Sequence, residues 1–128
     1  MTEQNLQTSN PSKVEPQELA RSVVNIIEEM KGEDIVLIDI QELTHVTDYF
    51  IVCTSDNERQ AKAIVDRIRE DIKEAYHLLP WQIEGTATGG WILMDYGHVV
   101  VHVFDQDQRD YYDLEGLWQA GRVLLRIQ

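Results

Sequence analysis

The sequence predicts an α+β domain in which helices pack on a mixed β-sheet of about five strands, in the order α-β-β-α-β-β-β-α. Three patterns predict this class: two apolar stripes at helical spacing, several short runs of β-branched residues, and a glycine between two of those runs. A long helix between strands is the usual connection within a parallel pair, whereas a glycine between strands indicates a hairpin. The sheet is therefore expected to contain both parallel and antiparallel pairs.

An amphipathic helix and two short strands are predicted for the first part of the chain. The helix is expected between Pro16, which suits a first helical turn, and Gly32, which suits a C-terminal cap. Apolar residues recur on one face of it: Leu19, Ala20, Val23, Val24, Ile27 and Met30. The two strands are the apolar runs Ile35–Ile40 and Tyr49–Cys53.

A second, longer helix is predicted to follow directly. Ser55 and Glu58 form an S-x-x-E capping box, which satisfies the first free backbone N–H groups of a helix, and Pro80 is expected to stop the helix. The apolar positions behind the capping box make one stripe: Ala61, Ile64, Val65, Ile68, Ile72, Ala75, Tyr76 and Leu79. The other face alternates acidic and basic residues, which is typical of a solvated surface.

Three strands and one or two short helices are predicted for the second half. The strands are Trp81–Glu84, Trp91–Tyr96 and His98–Phe104, and Gly97 between the last two indicates a tight hairpin. Residues 105–118 are rich in acids and tyrosines and are expected to hold the short helices.

A length of 128 residues is that of one domain. Residues 1–14 are polar, and we expect them to form a flexible N-terminal tail. The domain is expected to span residues 15–121. Residues 122–128, with the sequence RVLLRIQ, are expected to form a C-terminal extension that packs on the core or on a partner.

The balance of 11 Lys and Arg against 23 Asp and Glu gives a formal net charge of −12. A chain this acidic is not expected to bind nucleic acid through a broad basic face. It has no apolar run near the roughly 20 residues of a membrane span, and no signal or transit pattern. The single Cys53 can form neither an internal disulfide nor a cysteine-based zinc site. We therefore expect a cytoplasmic protein with a neutral or basic partner.

Two patterns that can bind metal have simpler structural explanations. His98 and His102 lie four residues apart on a predicted strand, about 13 Å along the backbone, which is too far to chelate one ion. Asp105 and Asp107 form a D-x-D pair, but no phosphate-binding loop precedes them, and Asp105 suits a helix N-cap. No metal site is therefore predicted.

Aromatic residues mixed with acids in the last third are the best candidates for a partner-binding surface, because Trp and Tyr are favoured interface anchors. The aromatic residues are Trp91, Tyr96, Tyr111, Tyr112 and Trp118. Within the predicted strand, Trp91, Leu93 and Asp95 share one face. An unpaired carboxylate is costly in a dry core, so we expect this face to be open at least at one end.

Four ordered blocks resemble the ribosomal silencing factor family, also called the iojap family. They are DYFIVCTSDNERQAKAIVDRI (48–68), EG (84–85), GWILMDYGHVVVHVF (90–104) and RDYYDLEGLW (109–118). The resemblance runs from about Glu33 to Trp118. Two places depart from the family pattern: His98 stands where an acid is usual, and Ser55 and Asp56 stand where a glycine is usual.

The resemblance implies a non-enzymatic protein without a cofactor. Members of the family bind the large ribosomal subunit through its protein L-fourteen, block association with the small subunit, and so lower translation under nutrient shortage; they are often homodimers. Their fold is similar to that of nucleotidyltransferases but lacks the catalytic acids. The position of Gln41, two residues after Asp39, agrees with this because one acid of the pair is missing.

The resemblance also implies which residues contact the partner: Trp91, Asp95, Tyr96 and Gly97 in the third block, and Tyr112 and Glu115 in the fourth. Acidic side chains would attract a basic ribosomal protein, and aromatic side chains would supply the buried contact area. Two other functions stay open at this point. One is a nucleotidyltransferase-like enzyme that uses Asp105 and Asp107 with magnesium, and the other is a homodimeric interaction module with a different basic partner.

Overall fold

The predicted α+β class is confirmed by the computed structural model, which describes residues 14–128. Its elements are α1 (Pro16–Glu29), β1 (Glu33–Asp39), β2 (Tyr49–Thr54), α2 (Glu58–Tyr76), β3 (Gln82–Thr86), β4 (Trp91–Asp95), β5 (Val99–Phe104), α3 (Gln106–Tyr112), α4 (Leu114–Leu117) and β6 (Arg122–Ile127). The order agrees with the predicted one as far as the short helices, and β6 is added at the end. Residues 1–13, which make up nearly all of the predicted tail, lie outside the described residues.

The strands of residues 14–128 form one sheet in the order β3-β4-β5-β2-β1-β6. The central strands β2 and β5 are parallel, with Tyr49 opposite Val99 and Thr54 opposite Phe104. The other neighbouring strands are antiparallel. Helix α2 carries the chain from β2 at the centre to β3 at one edge, so the mixed sheet and the long crossover helix are both confirmed.

The two long helices pack on the same face of the sheet and form the main core. Their buried residues are Leu19, Ala20, Val23, Val24, Ile26 and Ile27 of α1, and Ala61, Ile64, Val65, Ile68 and Ile72 of α2. Alternate strand residues meet them, such as Ile51 and Cys53 of β2, which are fully buried. No helix in the described part of the chain is long and apolar enough to cross a membrane.

The N-cap of α2 is not the predicted capping box. The Asn57 side chain accepts a hydrogen bond from the Gln60 N–H at 2.8 Å and is the cap. Ser55 instead continues the pairing of β2, because its N–H donates to the Phe104 carbonyl at 2.8 Å. Its buried hydroxyl points to the same carbonyl at 3.4 Å. The capping-box prediction is therefore wrong, since the strand holds Ser55 away from the helix.

The end of α2 also comes before Pro80. His77 adopts the left-handed conformation, with φ 56° and ψ 39°, and its N–H donates to the Lys73 carbonyl. The predicted apolar stripe therefore ends early, and both Ala75 and Leu79 are exposed.

Residues 122–128, predicted as an extension outside the domain, largely belong to the sheet. Arg122–Ile127 pair antiparallel with β1, and the Arg122 guanidinium lies 3.0 Å from the Asp39 carboxylate. Leu124 and Leu125 pack against the main core. The domain boundary predicted at residue 121 is therefore corrected: this part of the chain forms the edge strand next to β1.

The two candidate caps of α2 can be separated by substitution. We expect Asn57→Ala to lower the free energy of unfolding by about 1 kcal/mol, the usual cost of losing an N-cap. Ser55→Ala should cost less than about 0.5 kcal/mol, because the Ser55 hydroxyl makes only one long hydrogen bond. Urea unfolding followed by circular dichroism measures both. A larger loss for Ser55→Ala would restore the predicted capping box.

Candidate functional site

The sheet face opposite α1 and α2, which we call the open face, is covered only in part. The short C-terminal helices lie over its centre, where the rings of Phe50 and Trp118 meet edge to face with centroids 5.5 Å apart. Val36, Ile38 and Ile40 of the β1 side form a small second core there. Within residues 14–128, this cover reaches β4 only where Tyr112 lies against Trp91, and it does not extend over the exposed strand β3.

The burial of β4 alternates from residue to residue, as predicted. Trp91, Leu93 and Asp95 are half-buried on the open face, whereas Ile92 and Met94 are buried against the helices. The prediction that the face carrying Asp95 is open is therefore confirmed.

Four aromatic residues at the border of the uncovered area form what we call the aromatic patch: Trp91, Phe104, Tyr111 and Tyr112. The ring of Trp91 lies 4.5 Å from that of Tyr112 and 4.9 Å from that of Phe104, between centroids. Tyr111 meets Tyr112 edge to face at 5.0 Å. Tyr112 is 46% exposed and Tyr111 is 78% exposed. The structure thus brings together Trp91 and Tyr112, which come from two separate blocks of sequence.

Behind the aromatic patch, His102 fixes the Trp91 ring. The indole Nε1–H of Trp91 donates to Nδ1 of His102 at 3.1 Å. His102 is 3% exposed and lies 5.0 Å from the Phe50 ring. Burial lowers the pKa of His102 to about 4, so the imidazole is neutral at pH 7. Sequence reasoning missed this role because it considered His102 as half of a metal pair or as a polar position on a half-exposed strand, whereas every residue of β5 is buried.

Arg109 anchors the C-terminal helices to the sheet, although it is only 7% exposed. Its Nε and Nη2 donate to the two carboxylate oxygens of Glu115 at 3.0 and 2.9 Å. Its Nη1 donates to the Asp34 carbonyl at 2.6 Å and to Thr54 Oγ1 at 2.8 Å. The hydrogen bonds from Arg109 hold the pKa of Glu115 below its usual range. Glu115, predicted as a partner contact, therefore serves inside the fold.

The turn between β4 and β5 holds two further residues predicted as contacts. Tyr96 is 4% exposed, and its ring lies in the main core on the other side of the sheet. Its burial contradicts a direct contact on the open face. Gly97 has φ +90°, which favours glycine, and its N–H donates to Asp95 Oδ1 at 2.7 Å. Gly97 therefore shapes the turn and orients the Asp95 carboxylate.

The two candidate metal-binding patterns have structural roles. Asp105 caps α3, because its Oδ1 accepts from the Gln108 N–H at 2.8 Å, as predicted. His98 is exposed in the turn, with Nδ1 3.1 Å from Asp48 Oδ2. Among residues 14–128, no three His, Cys, Asp or Glu side chains are close enough together to hold a metal ion.

A groove of about 290 Å³ crosses the open face beside the aromatic patch. Its apolar lining includes Phe50, Leu93, Val100 and Trp118, and its charged lining residues are Glu84 and Asp95. Aromatic rings, an apolar groove and an acidic rim lie on one uncovered surface. This arrangement suits the binding of a basic protein better than it suits catalysis.

Comparison with known proteins identifies similar chains. A family model described as "Ribosomal silencing factor during starvation" matches residues 13–126. The Chromobacterium violaceum protein named ribosomal silencing factor RsfS is 40% identical over 105 residues, which cover 82% of this chain and 85% of that protein. The Halalkalibacterium halodurans protein of the same name is 35% identical over 102 residues, or 80% of this chain and 86% of that protein.

The fold is similar to that of a solved relative. The crystal structure of a Chromobacterium violaceum protein, at 40% identity, has a TM-score of 0.78. The match covers 83% of this chain and 88% of that chain.

Substitution of Arg109 tests its anchoring role. We expect Arg109→Leu to lower the free energy of unfolding by about 3 kcal/mol, because it leaves buried acceptors without their donor. Glu115→Gln should cost less, since the amide keeps the shape and one acceptor. Urea unfolding at pH 7 measures both. If Arg109→Leu is as stable as the parent, apolar contacts alone hold α3 and α4 in place.

The Arg109–Glu115 pair also predicts a pH dependence. Because the pKa of Glu115 is lowered in the folded state, its stabilisation is complete above the unfolded pKa of about 4.3 and is lost as the pH falls through the folded value. The stability difference between the parent and Glu115→Gln should therefore shrink below about pH 4. A constant difference down to pH 3 would contradict the ion pair.

His102 predicts a second, separate pH effect. Its folded pKa of about 4 lies below the unfolded value, so the unfolded chain takes up a proton in this range that the folded chain does not. Stability should fall as the pH drops from about 6.5 to 4. His102→Asn removes the titrating group and should lose less stability between pH 7 and 4.5 than the parent. Equal losses in urea unfolding would contradict the buried neutral imidazole.

Proposed function

The chain belongs to the ribosomal silencing factor family, and from this membership we propose that it represses translation by binding the large ribosomal subunit. In the proposal, the open face binds protein L-fourteen of that subunit. The bound protein then blocks association with the small subunit and limits translation under nutrient shortage. It acts in the cytoplasm, without an enzymatic step or a cofactor.

The observation that carries the proposal is an uncovered sheet face that presents aromatic anchors beside acids. The rings of Trp91 and Tyr112 are in contact on this face, 4.5 Å apart between centroids, next to the groove that Glu84 and Asp95 line. Aromatic residues of this kind contribute much of the binding energy at protein interfaces. The acids and the net charge of −12 would speed the encounter with a basic protein.

The pocket at the carboxyl ends of the parallel strands β2 and β5 favours a regulatory function over nucleotidyltransferase activity. Nucleotides bind at the carboxyl ends of parallel strands in many α/β folds, because a helix N-terminus there attracts phosphate. Here the corresponding pocket, of about 150 Å³, is lined by Asp56, Glu58 and Asp105. Without a metal ion these acids would repel phosphate groups, and in the described residues no three acids or histidines lie close enough together to hold one.

The proposed function is tested by sedimentation. Purified protein is mixed with isolated large subunits and, separately, with small subunits, and each mixture is run through a density gradient. We expect co-migration with the large subunit alone, followed by failure of the two subunits to join. If the protein co-migrates with neither subunit at low salt, the proposal is wrong, and an interaction module with a different basic partner is favoured.

A matched pair of tryptophan variants tests the binding surface. We expect Trp91→Ala to weaken binding to large subunits by about 2 kcal/mol or more, roughly thirty-fold, as for an interface anchor. Trp81→Ala is the control, because Trp81 is also a tryptophan, is 78% exposed and lies outside the aromatic patch, with its ring beside Gly97. Circular dichroism confirms that both variants fold, and fluorescence titration gives the affinities. Unchanged affinity of Trp91→Ala would remove Trp91 from the site.

A further inference from the structure

Two residues that line the groove carry buried polar atoms without hydrogen-bond partners. Thr47 Oγ1 and His102 Nε2 are each less than 1 Å² exposed and have no partner in the described part of the chain. Both residues line the groove, and each is 3% exposed. Buried polar groups are almost always hydrogen-bonded, because an unmade bond is costly. Two such atoms at one groove indicate that their partner arrives from outside the chain.

The chemistry of the His102 atom follows from its other nitrogen. The Trp91 indole N–H can only donate, so Nδ1 of His102 must accept and carries no proton. The proton of the neutral imidazole is therefore on Nε2. What the groove offers at this position is an N–H donor, and at Thr47 it offers a hydroxyl that can donate or accept.

The possible occupants can be compared by their donors and acceptors. A purely apolar side chain leaves both atoms unsatisfied, and Lys or Arg offers no acceptor for the His102 N–H. A carboxylate would be repelled by Glu84 and Asp95 on the rim. A carboxamide has an oxygen that accepts and an NH₂ group that donates, and it carries no charge.

We propose that the groove binds a polar segment of the basic partner, with the carboxamide oxygen of an Asn or Gln accepting a hydrogen bond from His102 Nε2–H and a second polar group of the same segment meeting the Thr47 hydroxyl. Thr47 lies five residues before Val52, which is the residue opposite His102, so one carboxamide is too short to reach both atoms. The inference rests on the proposed function, because it names a residue type that the partner must present to the open face. In this arrangement Thr47 and His102 determine which partner sequence binds, whereas the aromatic patch supplies most of the affinity. Lys or Arg residues flanking the carboxamide would meet Glu84 and Asp95.

Access to the two atoms requires a small change in the wall of the groove. Both are closed off in the free protein, and residues 41–48, which contribute Thr44, Val46 and Thr47 to the lining, form an irregular loop between β1 and β2. Val46 is 85% exposed, so few contacts hold the middle of this loop. The loop is therefore the part of the wall that yields when the carboxamide enters.

The test measures both the stability of the free protein and its affinity for large subunits, because removal of the Thr47 hydroxyl should leave the first unchanged or higher and lower the second. Thr47→Val keeps the side-chain shape and removes an unsatisfied hydroxyl, so the free protein should be as stable as the parent or more stable. Its affinity for isolated large subunits should fall about five-fold, the scale of one lost hydrogen bond. Thr47→Ser keeps the hydroxyl and is the control, with affinity close to that of the parent.

A second pair of variants separates the two nitrogens of His102. His102→Asn places an acceptor near the position of Nδ1 and removes the group at Nε2. His102→Gln places an amide N–H near the position of Nε2. We expect His102→Gln to bind large subunits more tightly than His102→Asn, although His102→Asn better preserves the bond to Trp91. The reverse order would show that His102 acts only by holding Trp91.

The outcomes distinguish this inference from the proposed function. If the parent does not bind large subunits, the proposed function fails. If the parent binds and Trp91→Ala weakens binding while Thr47→Val does not, only the carboxamide inference is overturned. Parallel losses of stability and affinity in Thr47→Val also overturn it, because they would show that the hydroxyl is bonded inside the free protein.

The identity of the occupant is tested with two blocked tripeptides, Lys-Gln-Lys and Lys-Leu-Lys. Protein with ¹⁵N-labelled histidine is titrated with each, and the Nε2 resonance of His102 is followed by NMR. We expect this resonance to shift with the glutamine peptide and not with the leucine peptide. An equal shift with both peptides, or no shift with either, contradicts a carboxamide site.

Discussion

Both long helices pack on one face of the sheet, so the apolar residues of the other face must be buried by something else. This constraint shapes the rest of the molecule. The helix-covered face holds most of the buried apolar residues and provides most of the stabilisation. On the open face, the described part of the chain covers the centre of the sheet with only the short helices α3 and α4. Strand β3 and most of β4 are left uncovered there, and this is where the candidate surface lies.

The geometry of that surface depends on two buried polar residues. Arg109 ties the C-terminal helices to Asp34 and Thr54 of the sheet, which sets Tyr112 against Trp91. His102 accepts the indole N–H and so fixes the orientation of the Trp91 ring from below. Both contacts are at least partly buried, and in such surroundings hydrogen bonds are stronger and unmade bonds more costly. The aromatic patch is therefore ordered before a partner arrives.

Most of the fold could be predicted from local pattern, because helical and strand periodicities are strong in this chain. The cap of α2 could not be predicted, because three residues of the cap type, Ser55, Asp56 and Asn57, follow one another. The pairing of Ser55 with β5 excludes Ser55 as the cap. Strand β6 was not predicted, because Arg122 and Arg126 leave only a short apolar run between them and because its partner β1 is distant in sequence.

Some residues of the candidate site could be predicted from the sequence and others could not. The alternation of β4 predicts that Trp91 and Asp95 lie on the open face. The resemblance to the family suggested both Trp91 and Tyr112 as contacts, and the structure places these two residues side by side. The same alternation already places Tyr96 on the helix side, although both the cluster of aromatic residues and the resemblance suggested Tyr96 as a contact. Glu115 appeared to be a free surface acid because its partner Arg109 becomes visible only in three dimensions.

Binding of the large subunit by the open face can be followed by hydroxyl-radical footprinting of the chain, free and bound to large subunits. Tyr111 and Trp81 are each 78% exposed, and Trp81 lies outside the aromatic patch, with its ring beside Gly97. We expect large subunits to protect Tyr111 and Tyr112 from oxidation and to leave Trp81 unchanged. Protection of Trp81 with no change at Tyr111 and Tyr112 would contradict binding by the open face.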